Sequence, residues 1–317
     1  MNPVHAERRI LGIDWGTSNR RAYLVDAAGA LIARRADGQG MLAAGPGFGA
    51  SLAALLADMD IDPGVPVAAS GMIGSAQGWQ ETPYLDAAIP LEDLPRHLVS
   101  VPLPGAAAGR SCLLVPGYRF HDADGRVDVM RGEEMQLLGA VAMGRRSGWF
   151  VLPGTHSKWV RLDDGAIRHV STFMTGELFA TLGKLGTLAP LMQAENKEGE
   201  GAQDDAAFAA GVDEARRRTP LTKALFGVRA RVVTGAMPAA HARPFVSGLL
   251  IGAELAAALD LVDAGGGAAS AIAIAAPGLQ AIYAAAAARM GIGLQPLEPD
   301  AVYRAALGVF LDRMDLP

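Results

Sequence analysis

Ile10-Leu11-Gly12-Ile13-Asp14-Trp15-Gly16-Thr17-Ser18-Asn19-Arg20-Arg21-Ala22-Tyr23-Leu24-Val25-Asp26 reads as strand, tight turn, strand. The apolar run 10–13 is strand-like, and Arg21 to Val25 makes a second strand after the turn. Asp14 sits where the first strand ends. Gly16 lets the backbone turn sharply and approach a ligand closely. Thr17 and Ser18 add hydroxyls, and the N–H groups of such a turn can form an anion-binding concavity. A carboxylate beside that turn suits a hydrated Mg²⁺ that is also bound to phosphate. It is not a Walker loop, because no Gly-Lys-Ser/Thr follows and no helix begins here. An ordinary hairpin with an acidic turn accounts equally well for this stretch taken alone.

The chain has 317 residues, more than one core usually serves, so two domains are expected. Half the residues are hydrophobic, with 39 glycines and 19 prolines, which describes a turn-rich α/β protein and argues against disorder. The net charge of −5, with no block of like charges, argues against a nucleic-acid partner. An anionic substrate would need local capture by Arg, Lys or backbone N–H groups. Cys112 has no second cysteine to pair with and lies in an apolar run, so a buried structural thiol is expected. The first nine residues are polar and lead straight into a strand, which argues against a signal peptide. The apolar stretch 246–262 is interrupted by Glu254 and Asp260, which argues against a membrane span. A cytoplasmic location is expected.

Outward from the first turn, strands are expected at 9–14, 20–26 and 29–35, and a helix at 47–59 on Phe48, Leu52, Leu55, Leu56 and Met59. A strand at 66–69 runs into the turn Ser70-Gly71-Met72-Ile73-Gly74-Ser75; another strand fits 111–116, and a helix 132–143. The logic then repeats. Gly148 to Leu152 is a strand, Pro153 to Ser157 a turn and Lys158 to Leu162 a strand. Asp163-Asp164-Gly165 is a hairpin turn, and Ala166 to Thr172 returns. Strand, polar glycine turn, strand, hairpin, strand thus occurs twice, near 10–35 and 148–172, without a close sequence repeat. Two lobes facing a shared phosphate would explain it. Helices follow at 174–184, 203–217, 247–262, 278–290 and 299–315, with a strand at 270–275 and an exposed loop at 195–201.

Three further segments carry chemistry. Gly154-Thr155-His156-Ser157-Lys158 places two hydroxyls, an imidazole and an ammonium after a strand, which suits a phosphate chain. A Ser–His hydrolase is disfavoured: there is no Gly-x-Ser-x-Gly elbow, and adjacent strand residues point to opposite faces. Gly132-Glu133-Glu134-Met135-Gln136 opens a helix with two acids. Helix-dipole preference alone explains acids there. But Gly132 permits close ligand approach, Gln136 lies one turn on, and a carboxylate there can accept a proton from a hydroxyl. Ala271 to Leu279 is a strand running through Pro277-Gly278 into an alanine-rich helix, which fits either a purine-facing turn or plain strand–helix packing. The segment His121 to Asp128 mimics a calcium loop but fails its spacing, so a surface turn is expected.

Together these segments resemble the superfamily of sugar kinases, actin and heat-shock chaperones, and most closely the 2-dehydro-3-deoxygalactonokinase family. The stretches that carry the resemblance are Ile13 to Ala22, Ser70 to Trp79, Asp128 to Glu134, Leu152 to Trp159, Met174 to Phe179 and Ser247 to Gly252. One departure is Pro277, where the wider superfamily has glycine. The resemblance implies an α/β fold of two actin-like (ribonuclease H-like) lobes, with mixed sheets flanked by helices and the ATP site in the cleft between them. The lobes would span 1–146 and 147–298, with a C-terminal helix in 299–317 packing back on the first.

The resemblance also implies ATP-dependent phosphorylation of the 6-hydroxyl of 2-dehydro-3-deoxy-D-galactonate, a step of galactonate breakdown, with Mg²⁺ as cofactor. It implies a metal role for Asp14 and a catalytic base at Glu133, with Glu134 as the substitute. Gly16, Thr17, Ser18 and Arg20 would bind ATP from one lobe, and Gly154, Thr155, Ser157, Lys158 and Gly278 from the other. Gly71, Met72, Ser75, Gln77, Arg131 and Gln136 would hold the sugar acid. The partners are then a small sugar acid and ATP, with no nucleic acid and no membrane, and the oligomeric state stays open. The rivals are a kinase for another 2-keto-3-deoxy sugar acid, such as the gluconate epimer, and a non-catalytic actin-like nucleotide switch.

Overall fold

The structure, a computed structural model, describes residues 8–104, 109–194, 202–263 and 269–314. It divides into two compact units. The first takes in the chain up to Gly148, Arg161–Val170 and the residues from Pro299 on; the second is Trp149–Val160 with Ser171–Glu298.

The first unit begins with the expected hairpin, β1 (Arg9–Trp15) and β2 (Arg20–Asp26), antiparallel with Asp14 opposite Arg21 and Trp15 opposite Arg20. Its sheet continues with β3 (Leu31–Asp37), β4 (Val67–Gly71), β6 (Val99–Pro102) and β7 (Ser111–Leu114) in the order β3-β2-β1-β4-β7-β6. β4 runs parallel to β1 and to β7, while the other pairs are antiparallel. β1 is central, so Ile10, Leu11, Ile13 and Trp15 are buried on both faces. β3 lies at the edge and leaves Leu31 and Ile32 exposed.

After the short α1 (Met41–Ala44), α2 (Phe48–Asp58) covers one face of this sheet, packing Phe48, Leu52, Leu55 and Leu56 with Ile13, Trp15 and Val67. A small second sheet, β5 (Tyr84–Asp86), β8 (Gly117–His121) and β9 (Val127–Met130), precedes α3 (Glu133–Ala142). Neither this sheet nor β6 is legible in the sequence; each strand has five residues or fewer, too few for alternation to register.

A five-stranded sheet has the strands β10 (Gly148–Leu152), β11 (Ser157–Asp163), β12 (Ala166–Phe173), β13 (Ser270–Ile274) and β14 (Gly293–Leu297), in the order β12-β11-β10-β13-β14. This repeats the order β3-β2-β1-β4-β7 of the first unit, so the duplicated pattern in the sequence is a duplicated topology. The helices are α4 (Thr175–Leu182), α5 (Ala189–Met192), α6 (Ala202–Arg216), α7 (Leu221–Val233), α8 (Ala242–Asp263) and α9 (Pro277–Met290). α7 is an addition to the expected elements, and the loop expected at 195–201 lies outside the described residues. α8 is long and apolar enough to cross a membrane by length and composition, but it presses directly on α6. A Cβ on Gly211 or Gly248 would lie 2.1 Å or 2.0 Å from a backbone oxygen of the other helix.

The last helix, α10 (Pro299–Arg313), belongs to the first unit and seals its sheet. A Cβ on Gly12 would strike the Leu307 side chain, and one on Gly139 of α3 would stand 1.8 Å from the Val302 carbonyl oxygen. Two glycines therefore let α10 lie against both β1 and α3.

Candidate active site

In the first unit the site forms where β1 and β4 end and α3 begins. Asp14 closes β1, and its Oδ2 accepts a hydrogen bond from Arg21 Nη2 at 2.6 Å. Burial pushes the Asp14 carboxyl above its ordinary range; Arg21 pulls it back, and Asp300 adds a smaller upward push. Gly71 at the end of β4 has φ of +88°, and Gly132 before α3 has φ of +106°, both disfavoured for a residue with a side chain. A Cβ on Gly132 would sit 3.4 Å from the Gly71 Cα, and one on Gly71 would sit 2.9 Å from the Trp15 carbonyl oxygen and 3.6 Å from Asp14 Oδ1. The absence of those side chains brings three chain segments together around one carboxylate. Among the described residues no three His, Cys, Asp or Glu side chains cluster as a metal cage. Mg²⁺ needs none, since it commonly binds through one or two carboxylates plus phosphate oxygens. The Asp14 carboxylate, with the side-chain-free space at Gly71, fits that mode.

The two acids of α3 have different surroundings. Glu133 is half-buried, and its Oε2 accepts the Arg131 N–H at 2.9 Å. Glu134 is fully buried; its Oε2 accepts the Gly132 N–H at 2.6 Å, and its Oε1 finds no hydrogen-bond partner. Burial first, then the neighbouring Glu133, pushes the Glu134 pKa up to about 8. Glu134 is thus mostly a neutral acid at pH 7. Gln136, one turn on from Glu133, is also half-buried.

The phosphate turn after β1 is exposed at Thr17 and Ser18 and closed by the Gly16 N–H donating to Asn19 O at 2.9 Å. Arg20, expected at the phosphate, points away from this turn in the structure. Its guanidinium forks onto Asp37 at 3.2 and 2.7 Å, donates to Ser51 and lies over the Trp15 ring. Strand alternation explains this: Arg20 and Arg21 face opposite ways, and it is Arg21 that meets Asp14.

In the Gly71–Ser75 turn the Ser75 Oγ is engaged with the Met72 carbonyl at 2.7 Å, while Met72 is half-buried and Gln77 exposed. Arg131, expected at the sugar acid, is engaged within the protein. Its guanidinium donates to Thr82 Oγ1 and, at 2.9 Å, to Thr82 O, and it stacks over Tyr84. Thr82 in turn donates to the Gly74 carbonyl, so Arg131 braces the turn from behind.

In the second unit Gly154, Thr155 and His156 form the exposed turn between β10 and β11. α4 presses on it: a Cβ on Gly176 would lie 2.3 Å from the Gly154 carbonyl oxygen, and the Glu177 N–H donates to Thr155 O at 2.9 Å. His156 Nε2 pairs with Glu177 Oε2 at 2.5 Å. Ser157 and Lys158 turn inward, against expectation. Ser157 Oγ donates to Glu254 Oε1 at 2.7 Å, and the largely buried Lys158 ammonium donates to Thr172 Oγ1 at 2.8 Å.

Glu254 also receives Trp159 Nε1 at 2.9 Å, Thr175 Oγ1 at 2.5 Å and Tyr283 OH at 2.8 Å. Burial pushes its pKa up, and these donors oppose the push. One carboxylate on α8 therefore ties together β11, α4 and α9. A cavity of about 140 Å³ opens beside the turn, lined by Gly154, Thr175, Gly176, Leu250, Leu279 and Tyr283. Gly278 lies exposed at the start of α9 next to Leu279, and Pro277 takes the first helical position, where its missing N–H costs nothing.

A repeated strand order, a glycine-bordered carboxylate and an acid-bearing helix define a sugar kinase of the actin-like, ribonuclease H-like fold. The family model described as 2-keto-3-deoxy-galactonokinase matches residues 14–309, and the chain belongs to that family. It is 36% identical over 299 residues to the probable 2-dehydro-3-deoxygalactonokinase of Rhizobium meliloti (strain 1021), covering 93% of this chain and 94% of that one. It is 35% identical over 257 residues to the 2-dehydro-3-deoxygalactonokinase of Escherichia coli (strain K12), covering 80% and 82%. A crystal structure of a Sinorhizobium meliloti protein assigned as a 2-dehydro-3-deoxygalactonokinase superposes with a TM-score of 0.84 at 34% identity, covering 97% of each chain.

Proposed function

We propose that this chain transfers the γ-phosphoryl group of ATP to the 6-hydroxyl of 2-dehydro-3-deoxy-D-galactonate. The observation that carries the reading is the convergence of Asp14, Gly71 and Gly132 beside Glu133. Phosphoryl transfer asks for positioning and charge neutralisation more than covalent chemistry. Asp14 would hold Mg²⁺, which when bound would supply positive charge against the phosphates. Glu133 accepts the proton of the attacking hydroxyl, because it is the less buried of the two acids and Glu134 already carries a proton near neutral pH. The exposed hydroxyls of Thr17 and Ser18 hold phosphate oxygens from one turn, and Thr155 from the other. The sugar-acid carboxylate is received at the Gly71–Ser75 turn and Gln77.

In this reading the lobe of residues 1–146 takes the sugar acid, and that of 147–298 takes the nucleotide. The cavity lined by Leu279 and Tyr283 has the apolar walls a base needs. A kinase of this kind works in the cytoplasm. A kinase for the gluconate epimer shares every feature named here and differs by one stereocentre of the substrate. A nucleotide switch has no use for a substrate base such as Glu133, which favours an enzyme.

The test is ADP release by the purified protein with ATP, Mg²⁺ and a panel of 2-keto-3-deoxy sugar acids. The galactonate derivative is expected to give the highest kcat/KM. Higher turnover on the gluconate epimer would reassign the substrate, and basal ADP release with every acid would refute the kinase reading.

A further inference from the structure

We propose that the imidazole of His156, held by the carboxylate of Glu177, joins Thr155 in the second turn in gripping the nucleotide's terminal phosphates. The inference rests on the kinase reading above and deepens it. A phosphate chain passing the Gly154–Lys158 turn needs N–H or O–H donors. Of the side chains that the sequence favours, Thr155 is exposed, whereas Ser157 and Lys158 face into the unit, onto Glu254 and Thr172. His156 is exposed at the apex of the turn and can carry positive charge.

Its position is fixed by one residue acting twice. The Glu177 backbone N–H holds Thr155 O at 2.9 Å, and its side chain holds His156 Nε2 at 2.5 Å. Gly176, lacking a side chain, lets α4 come close enough for both contacts. With Nε2 directed at Glu177, the atom left to face a ligand is Nδ1. A neutral ring that gives its Nε2 proton to Glu177 offers only a lone pair at Nδ1. The imidazolium donates from both nitrogens, through Nε2 to Glu177 and through Nδ1 to a ligand oxygen. With a phosphate oxygen at Nδ1, Glu177, His156 and phosphate form a chain of charge-assisted hydrogen bonds. The cavity lined by Gly154 adjoins this turn, so a nucleoside seated there would lead its phosphates across Gly154 towards Thr155 and His156.

The experiment measures ADP and adenosine binding by calorimetry, and ATP and sugar-acid kinetics, for wild type, His156→Asn, His156→Arg and Glu177→Gln. Both side chains are about half exposed, so the variants are expected to fold, and their circular dichroism checks this. His156→Asn is expected to weaken ADP and raise the KM for ATP by roughly ten- to hundredfold, the span for a hydrogen bond to a charged group. Glu177→Gln does so to a smaller extent. Adenosine affinity and the KM for the sugar acid stay unchanged, and His156→Arg recovers part of the ADP affinity. Unchanged ADP affinity in His156→Asn overturns the proposal. Equal losses for ADP and adenosine also overturn it, because they mark a structural role, as does a wild type that binds no ADP. A wild type that binds ADP through His156 but phosphorylates no sugar acid would instead refute the kinase reading and leave this one standing.

Discussion

Arg21 donates to Asp14 at 2.6 Å, and the two are cross-strand partners in the first hairpin. The pair is anchored from the far end of the chain. Asp300 of α10 lies 3.9 Å from Arg21, receives Arg34 at 2.8 Å, and accepts the Tyr23 hydroxyl at 2.8 Å. The C-terminal helix thus sets the charge balance behind Asp14.

Asp14 closes β1, and Asn keeps its size and an oxygen that can accept from Arg21. Asp14→Asn is expected to lower kcat by at least about a hundredfold, equivalent to roughly 2.7 kcal/mol of barrier, with circular dichroism unchanged. Turnover within about threefold of wild type, under about 1 kcal/mol, would remove Asp14 from the metal site.

Arg21→Met removes the cation that offsets Asp14 and leaves the carboxylate to its burial. The KM for Mg²⁺ in the kinase assay is expected to change as Asp14 loses its orientation, while the melting temperature moves by only a few degrees. An unchanged Mg²⁺ dependence would mean that Arg21 plays no part in presenting Asp14.

Glu134 makes a stability prediction with a definite sign. Its folded pKa of about 8 lies above its ordinary value of 4.5. Below pH 4.5 both states hold the proton. Between pH 4.5 and 8 the unfolded chain releases it and the folded chain keeps it, so ionisation favours unfolding by up to about 1.4 kcal/mol per pH unit. Glu134→Gln cannot ionise. Its melting temperature relative to wild type is therefore expected to rise from pH 5 to pH 8 and then level. A difference that stays flat across that range would contradict a neutral Glu134.

Much of this was legible in the sequence, and the omissions have physical causes. The β1–β2 hairpin, the acid-bearing helix and the duplicated pattern are local, written in periodicity and glycine placement. Which face a strand residue takes is not local. Arg20 and Lys158 sit beside residues that do reach the surface of their turns, and only the packed sheet reveals that both point inward. Asp300 could not be connected to Asp14 before α10 was seen to fold against β1. Glu254 was visible only as a charge interrupting an apolar stretch; its four donors come from three other elements.

Glu254→Ala would leave those four buried donors without their acceptor. The expected loss is at least about 3 kcal/mol of stability in urea titration, given that each unsatisfied buried group costs about 1–3 kcal/mol. Glu254→Gln, which keeps one acceptor oxygen, should lose less. Equal stability of Glu254→Ala and wild type would mean that the carboxylate is not the tie between β11, α4 and α9.

In the proposed kinase reaction Glu133 accepts the proton of the substrate hydroxyl. The most direct measurement compares kcat and ATP affinity for Glu133→Gln and Glu134→Gln with a saturating sugar acid. General-base catalysis is typically worth about 10²–10⁴-fold, so Glu133→Gln is expected to lose kcat by that order while binding ATP as wild type does. Glu134→Gln should keep most of its activity. A fully active Glu133→Gln, or an inactive Glu134→Gln beside it, would contradict the account.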